Sequence, residues 1–310
     1  MKRFTHDEPL PDELRGSVVA LGNFDGFHLG HQAVVSRAVA LGFHERRPVI
    51  VATFDPHPVR YFKPDVPPFR LTSLNQRERL FAHAGADSML VFKFDQALAS
   101  MDADEFVADV LARRIGAAAV VTGDDFSFGK GRTGDVDLLR KLGKAHGVTA
   151  EAVAQVMIGG ERVSSGRVRE ALAAGDPATA THLLTRPFAV EAVVEQGDGR
   201  GHELGFPTAN VSLGRYQRPA YGIYAVRVRL DDDSEHSGVA SFGVRPTFEE
   251  GEEFLETYIF DWDGDLYGRT IETSLVAWIR PEEKFDSAEA LITRMRADEA
   301  EARRVLGVAG

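Results

Sequence analysis

The stretch GNFDGFHLGH, residues 22–31 of the 310-residue chain, decides the fold of the first half. It joins an apolar strand predicted at 17–21 to a helix predicted from about 31 to 42. Its glycines let the backbone approach a ligand closely, and a helix start offers N–H groups and a positive dipole end to a phosphate. The stretch therefore predicts a phosphate site between a strand and a helix.

Two histidines give this stretch a possible chemistry. His28 and His31 lie three residues apart and can both donate hydrogen bonds to triphosphate oxygens. Such donors would stabilise the charge that builds up as a pyrophosphate leaves. Asn23 and Gly30 in the same stretch are further candidate phosphate contacts. Two surface histidines on an ordinary loop are the alternative interpretation.

Strands and helices continue to alternate through the first half. Buried strands are predicted at 48–54, 89–92 and 117–122, and helices at 76–84 and 104–114. This order predicts a parallel, doubly wound α/β sheet, whose ligands lie beyond the carboxyl ends of the strands.

The second half has a different pattern. Short strands with period-two alternation are predicted, for example at 224–230, 256–260 and 270–279. One helix closes the chain, with Asp286 as its expected N-cap. An antiparallel β-barrel with a C-terminal helix is therefore predicted, and the two domains are expected at 1–185 and 186–310.

Composition narrows the possible functions. Hydrophobic residues make up 44% and charged residues 27% of the chain, which is typical of a globular protein. The net charge of −11 provides no general basic field, so neither nucleic acid nor an anionic membrane is expected as a partner. No apolar run predicts a transmembrane helix, and the polar N-terminus does not resemble a secretory signal. The absence of cysteine excludes disulfides, thiolate catalysis and Cys-ligated zinc, and favours the cytoplasm.

Two further loops follow predicted strands. Pro56 and Pro58 fix a rigid turn that is suited to presenting backbone to a planar ligand. Asp125 and Phe126 lie in a glycine-rich loop that could hold a stacked ring. Either loop, taken alone, could equally be an ordinary turn.

A third motif, SSGRVR at 164–169, opens a predicted helix. Capping by Ser164 would explain the serine alone. Arginines in the first turn, however, oppose the helix dipole unless an anion binds there. This mismatch favours a phosphate site formed by Ser164, Ser165 and Arg169.

The second half contains candidate ligands for a nucleotide and its metal. The stretch RGHELGFPTAN, residues 200–210, suggests a tight backbone arch that includes Gly201. The side-chain oxygens of Thr208 and Asn210 suit Mg²⁺ carrying a nucleotide, although a barrel turn is the alternative. No Walker pattern occurs in the chain.

Glu256 is the candidate general base of the second half. It shares one face of a predicted strand with Phe254, Tyr258 and Phe260. Burying an unpaired carboxylate among aromatic rings is costly, so Glu256 is either paired, functional or turned to solvent. In a cleft it could deprotonate a hydroxyl nucleophile.

In this combination and order the motifs resemble the prokaryotic bifunctional FAD synthetases, from about residue 17 to 306. The resemblance implies a Rossmann-like nucleotidyltransferase domain that adenylylates FMN, followed by a flavokinase β-barrel that phosphorylates riboflavin. Small molecules, namely riboflavin, FMN and ATP, are then the expected substrates, with Mg²⁺ as cofactor.

The resemblance also implies roles for individual residues. In the first domain, the paired histidines would bind ATP phosphates and stabilise adenylyl transfer, with phosphate contacts from Ser164, Ser165 and Arg169. The segments containing Pro56, Pro58, Asp125 and Phe126 match the flavin side of the site. In the second domain, Thr208 and Asn210 would be the Mg²⁺–ATP ligands, and Glu256 the base for the riboflavin 5′-hydroxyl.

The chain departs from the family pattern at Gly166, Ala192, His202 and Ser241. Three of these lie in the kinase half, so an enzyme with only the adenylyltransferase active is one alternative. A flavin carrier that consumes no ATP is another. A class I aminoacyl-tRNA synthetase-like enzyme shares the histidine motif, but the acidic balance argues against it. The sequence does not set the oligomeric state.

Overall fold

The structure is a computed structural model, and it describes residues 1–196, 206–244 and 253–309. Packing divides the chain into two compact units. Unit 1 comprises Met1–Pro67 and Leu74–Ser164, and unit 2 comprises Pro68–Ser73 and Ser165–Gly310. This division does not assign activities to the units, so the domain boundary expected at 185/186 stays a prediction.

A parallel sheet forms the centre of unit 1. Its strands are β1 (Lys2–Thr5), β2 (Val18–Leu21), β3 (Val49–Asp55), β4 (Ser88–Lys93), β5 (Ala119–Gly123) and β6 (Thr149–Val153). They lie in the order β1-β4-β3-β2-β5-β6, and every neighbouring pair is parallel. From β2 the chain builds towards β3 and β4 on one side, and later towards β5 and β6 on the other. The strand order therefore reverses between β2 and β5, which confirms the doubly wound sheet.

Helices cover both faces of this sheet. They are α1 (Leu29–Glu45), α2 (Pro58–Phe62), α3 (Leu74–His83), α4 (Gln96–Ser100), α5 (Ala103–Glu105) with its π-helical continuation Phe106–Ile115, and α6 (Val136–Ala145). Short 3-10 turns at Asp12–Leu14 and Lys130–Arg132 and a hairpin of β7 (Met157–Ile158) and β8 (Glu161–Arg162) complete the unit. The predicted helix at 104–114 is thus mostly π-helical, although its apolar face is buried as expected.

The four central strands of unit 1, β2 to β5, are apolar on both faces because each face packs a core. Val19 and Ile50 contribute to one cluster, together with Leu111 on the π-helical stretch. Their neighbours Val18 and Val51 contribute to a second cluster on the opposite face, with residues of α1 and α3. The continuous apolar runs of the sequence therefore reflect a sheet covered on both sides.

Unit 2 is built on an antiparallel sheet. Its strands are β9 (Phe188–Val193), β10 (Thr208–Ser212), β11 (Gly222–Arg229), β12 (Glu235–Val244), β13 (Glu253–Ile259) and β14 (Thr270–Arg280), in the order β10-β13-β12-β11-β14-β9. The chain beyond β9 reaches the opposite edge, where Glu195 N donates to Asn210 O at 2.8 Å. The sheet therefore curls, and the chain just beyond β9 bridges to β10, which agrees with the predicted antiparallel barrel architecture.

The described part of unit 2 has three helices: α7 (Ser165–Ala173), α8 (Pro177–Leu184) and α9 (Ala288–Leu306). The N-cap of α9 is Ser287, so the expectation for Asp286 was wrong by one residue. Ser287 has extended backbone, and its Oγ accepts a hydrogen bond from Ala290 N at 3.1 Å. A buried ion pair holds α9 to β14, since Arg280 Nε and Nη2 donate to the two carboxylate oxygens of Asp298 at 2.8 and 2.6 Å.

Across the described ranges, none of the helices combines the length and the apolar character that crossing a bilayer requires.

Candidate active sites

The loop between β2 and α1 has a strongly bent backbone. Phe24, Gly26 and Phe27 all have positive φ, at 49°, 86° and 46°. For a non-glycine residue this region costs on the order of 1–3 kcal/mol. Both phenylalanine side chains are buried in the core, at 1% and 4% exposure, and that burial offsets the backbone cost.

This bend places the two predicted histidines against each other at the start of α1. The rings of His28 and His31 stack with centroids 3.7 Å apart and an interplanar angle of 18°. His28 is the N-cap of α1, and its Nδ1 accepts from His31 N at 3.4 Å. In the neutral ring the proton then lies on Nε2, which makes that nitrogen a hydrogen-bond donor.

The first turn of α1 is closely packed at Gly30. A Cβ at this position would lie 3.1 Å from His28 Cε1 and 3.7 Å from the carbonyl oxygen of Val163. Glycine therefore leaves room for the His28 ring, and the backbone just before Ser164 lies within van der Waals distance of this position. The predicted residues His28, Gly30 and Ser164 are thus close to one another within unit 1.

Asn23 has a buried acceptor. Its backbone oxygen accepts from Thr53 Oγ1 at 2.8 Å, whereas its side-chain Oδ1 is buried and has no hydrogen-bond partner among the described residues. An unsatisfied buried acceptor costs about 1–3 kcal/mol. A ligand donor at this position would remove that cost.

The predicted flavin-side residues lie at the same edge of the sheet. Pro56 and Pro58 follow β3, and Asp125 and Phe126 follow β5, so both loops leave carboxyl ends next to that of β2. Asp125 Oδ2 accepts from Arg162 Nη1 at 2.8 Å. The sheet therefore brings these four residues to the edge that holds the histidines.

The SSGRVR motif is divided between the units. Ser164 is the last residue of unit 1, whereas Ser165 and Arg169 lie on α7 in unit 2. Arg169 Nε donates to Phe69 O at 2.8 Å, and its guanidinium lies 5.0 Å from the centroid of the Phe69 ring. Arg169 thus anchors the segment Pro68–Ser73 within unit 2, and its phosphate contact stays a prediction.

Unit 2 brings its predicted residues together on paired strands. Asn210 on β10 lies directly opposite Glu256 on β13, and Thr208 lies opposite Tyr258. Asn210 is buried, and its Nδ2 donates to Thr208 O at 3.3 Å. Residues opposite each other in an antiparallel pair point to one face, so the oxygens of all three predicted residues share a face.

A second carboxylate lies on that face, and sequence analysis missed it. Gly243 lies opposite Phe254, two positions along from Glu256, and a Cβ at Gly243 would collide with the carboxylate of Glu282. Burial raises the pKa of Glu282, and the charge of Glu256 adds to the rise while Arg280 opposes it. No local signal marks Glu282, because its position depends on the path of the chain after β14 ends at Arg280, which brings its carboxylate to Gly243 on β12.

The remaining predicted residue, Gly201, lies outside the described residues, as does His202. Among the described residues no group of three His, Asp or Glu side chains could hold a metal by itself. Thr208 and Asn210 offer oxygens, the ligand type that Mg²⁺ accepts when substrate phosphates supply the rest of its shell. The donor set of unit 2 therefore fits a nucleotide-bound Mg²⁺.

Two family models match the chain. The model described as FAD synthetase matches residues 10–167, and the one described as riboflavin kinase matches residues 184–306. The two matches occur along the chain in the same order as the adenylyltransferase motifs and the kinase motifs of the sequence analysis.

Similar proteins match the chain along nearly its whole length. The bifunctional riboflavin kinase/FMN adenylyltransferase of Escherichia coli (strain K12) is 40% identical over 94% of this chain and 94% of its own. The Pseudomonas fluorescens protein of the same name is 42% identical over 95% of this chain and 94% of its own. A solved structure titled macrolide-efflux protein, from Streptococcus pneumoniae, is 29% identical with a TM-score of 0.87, covering 98% of this chain and 99% of that one.

Proposed function

The chain belongs to the family of bifunctional riboflavin kinase/FMN adenylyltransferases, and from this membership we propose which of its residues perform the two reactions. The chain phosphorylates riboflavin to FMN with ATP, and adenylylates FMN with ATP to FAD and pyrophosphate. We assign the first reaction to the face that carries Asn210 and Glu256, and the second to the stacked histidines. The observations that support this most are that His28 and His31 stack at the start of α1 and that Asn210 lies directly opposite Glu256.

In the kinase reaction, Glu256 accepts the proton of the ribityl 5′-hydroxyl as that oxygen forms a bond to the γ-phosphorus of ATP. The bond to the β–γ bridging oxygen breaks, and ADP leaves. Thr208 and Asn210 hold Mg²⁺–ATP beside Glu256, with Gly201 as a further phosphate contact. When bound, Mg²⁺ neutralises charge on the transferring phosphoryl group.

In the adenylyltransferase reaction, a phosphate oxygen of FMN attacks the α-phosphorus of ATP, and pyrophosphate leaves with the electron pair. The FMN oxygen is already anionic, so no side-chain nucleophile is needed. His28 and His31 donate hydrogen bonds to the phosphates, and the N-terminus of α1 adds its dipole. Asn23, Gly30, Ser164, Ser165 and Arg169 contact ATP, while the segments at Pro56, Pro58, Asp125 and Phe126 contact the flavin.

The proposed domains are 1–185 for adenylylation and 186–310 for phosphorylation. The family matches support this, since one ends at 167 and the other begins at 184. We propose the cytoplasm as the location, because the chain has no cysteine and both reactions consume ATP.

The first experiment incubates the purified chain with ATP, Mg²⁺ and either riboflavin or FMN, and separates FMN and FAD by chromatography. We expect FMN and then FAD from riboflavin. FAD from FMN alone, with no product from riboflavin, would limit the activity to the first domain. No product from either substrate would support the flavin-carrier alternative.

The His28→Ala variant tests the assignment of the two sites. We expect FAD formation to fall below detection, because a donor to the leaving pyrophosphate is lost, while FMN formation from riboflavin continues. Parallel loss of both activities in a folded variant would contradict two separate sites.

A further inference from the structure

Helix α3 is polar in sequence, LNQRERLFAH, yet it buries one arginine and one phenylalanine. Arg77 is 4% exposed and Phe81 is fully buried. The two residues are four apart, so they project from the same face of the helix. A buried arginine must be paired, and its partners reveal what this face contacts.

Two partners of Arg77 belong to the loop between β2 and α1, which we call the histidine loop, or support it. Arg77 Nη2 donates to Asp25 Oδ1 at 3.2 Å, and Asp25 itself is 2% exposed. Arg77 Nη1 donates to Thr53 Oγ1 at 3.2 Å, and that hydroxyl donates to Asn23 O at 2.8 Å. One guanidinium therefore holds the loop at two positions, through a side chain at Asp25 and through the backbone at Asn23.

Phe81 contacts the loop at its strained residues. Its ring meets Phe24 and Phe27 edge to face, with centroids 5.7 and 5.2 Å apart. Phe24 in turn meets the His31 ring edge to face at 5.4 Å. Phe24 and Phe27 are the two non-glycine residues of the loop with positive φ. Phe81 therefore packs where the backbone conformation is least favourable.

We propose that Arg77 and Phe81, which we call the α3 pair, are positioning residues for adenylyl transfer: they hold the strained loop so that His28 and His31 stay aligned on the leaving pyrophosphate. Neither residue touches the reacting atoms in this proposal, which rests on the proposed function of the histidines. Misplacing catalytic groups by about 1 Å can cost about 100-fold in rate.

The test measures kcat and KM for FAD formation from FMN in Arg77→Met, with riboflavin phosphorylation in the same preparation as an internal control. We expect kcat to fall about 10- to 100-fold, with little change in either KM and with kinase activity retained. Arg113→Met is the matched control, since Arg113 forms an exposed ion pair with Asp109 in the same unit. Unchanged kcat in Arg77→Met would overturn the proposal.

A second measurement separates positioning from general destabilisation. If Arg77 acts through the histidines, the losses of kcat from Arg77→Met and His31→Ala combine to less than their product, because one of the two aligned groups is already missing in His31→Ala. Fully multiplicative losses would contradict the proposal. Arg77→Lys should restore part of kcat, since one ammonium keeps the charge but lacks the planar fork that reaches both acceptors.

If Arg77→Met does not fold, Thr53→Val and Phe81→Leu provide the same test through smaller changes. Each should lower kcat for FAD formation several-fold while kinase activity persists, and unchanged kcat in both would overturn the proposal. Failure of the proposed function looks different, because the unsubstituted chain would then make no FAD from FMN.

Discussion

The two candidate active sites are held by different kinds of backbone. In unit 1 the histidines follow a loop with three left-handed residues, whereas in unit 2 Asn210 and Glu256 lie opposite each other within paired strands. A strand ladder fixes the spacing of its side chains through backbone hydrogen bonds. A bent loop has no such ladder, so its geometry depends on side chains from elsewhere in the fold.

This difference indicates which substitutions should lower each of the two activities. Riboflavin phosphorylation should fall mainly when Asn210 or Glu256 is itself replaced. Neighbouring positions on the same strand should matter less, because their side chains point to the opposite face of the sheet. The adenylyltransferase groups should also respond to remote changes that alter the loop, such as those at α3.

The largest effect is expected at Glu256, where Glu256→Gln keeps the shape but removes the base. Riboflavin phosphorylation should fall about 10²- to 10⁴-fold, the usual contribution of a general base, while FMN is still adenylylated. The measurement is initial rates of FMN and FAD formation from separate substrates.

Thr257→Val is the control on the neighbouring position. Thr257 is fully buried, and its Oγ1 has no hydrogen-bond partner among the described residues. We expect normal phosphorylation and a small gain in stability, because an unsatisfied hydroxyl is removed. A large loss of phosphorylation in this variant would contradict the independence of neighbouring strand positions.

The next effect concerns the packing of unit 2. Asp298→Ala removes the carboxylate that accepts from Arg280 Nε and Nη2 and leaves Glu283 Oε2 3.7 Å from Nη1, so it should lower the free energy of unfolding by at most about 3–5 kcal/mol. Glu301→Ala removes a bidentate carboxylate from the exposed Arg304 on the same helix and should have little effect. Urea unfolding of both variants checks this, and equal shifts would show that burial does not decide the outcome.

The smallest effect compares two glycines of unit 1 that share a left-handed conformation. Gly26 lies in the histidine loop, after the carboxyl end of β2, and has φ of 86°. Gly147 lies between α6 and β6, just before the amino end of β6, and has φ of 74°. Alanine at either position should cost about 1–2 kcal/mol of stability. Only Gly26→Ala should also slow FAD formation, and an equal slowing in Gly147→Ala would remove the special role of the loop.

Much of each site was predictable because its signals are local. The strand–loop–helix order around residues 22–31 follows from hydrophobic periodicity and glycine placement, and the structure has β2 and α1 on either side of that loop. Period-two alternation likewise put Glu256 and Tyr258 on one face, as the register of β13 shows. The N-cap of α9 was missed by one residue because Asp286 and Ser287 are both good caps.

The sequence by itself determined the order of the elements, the residue types at the carboxyl ends of the strands and the family to which those motifs belong. Only the tertiary structure decided that Arg77 pairs with Asp25, that Asn210 lies opposite Glu256 and that Glu282 joins the same face. The physical reason is the sequence separation over which each kind of signal acts. Periodicity and turn residues act over a few positions, whereas these contacts join residues 26 to 52 positions apart through sheet register and side-chain packing.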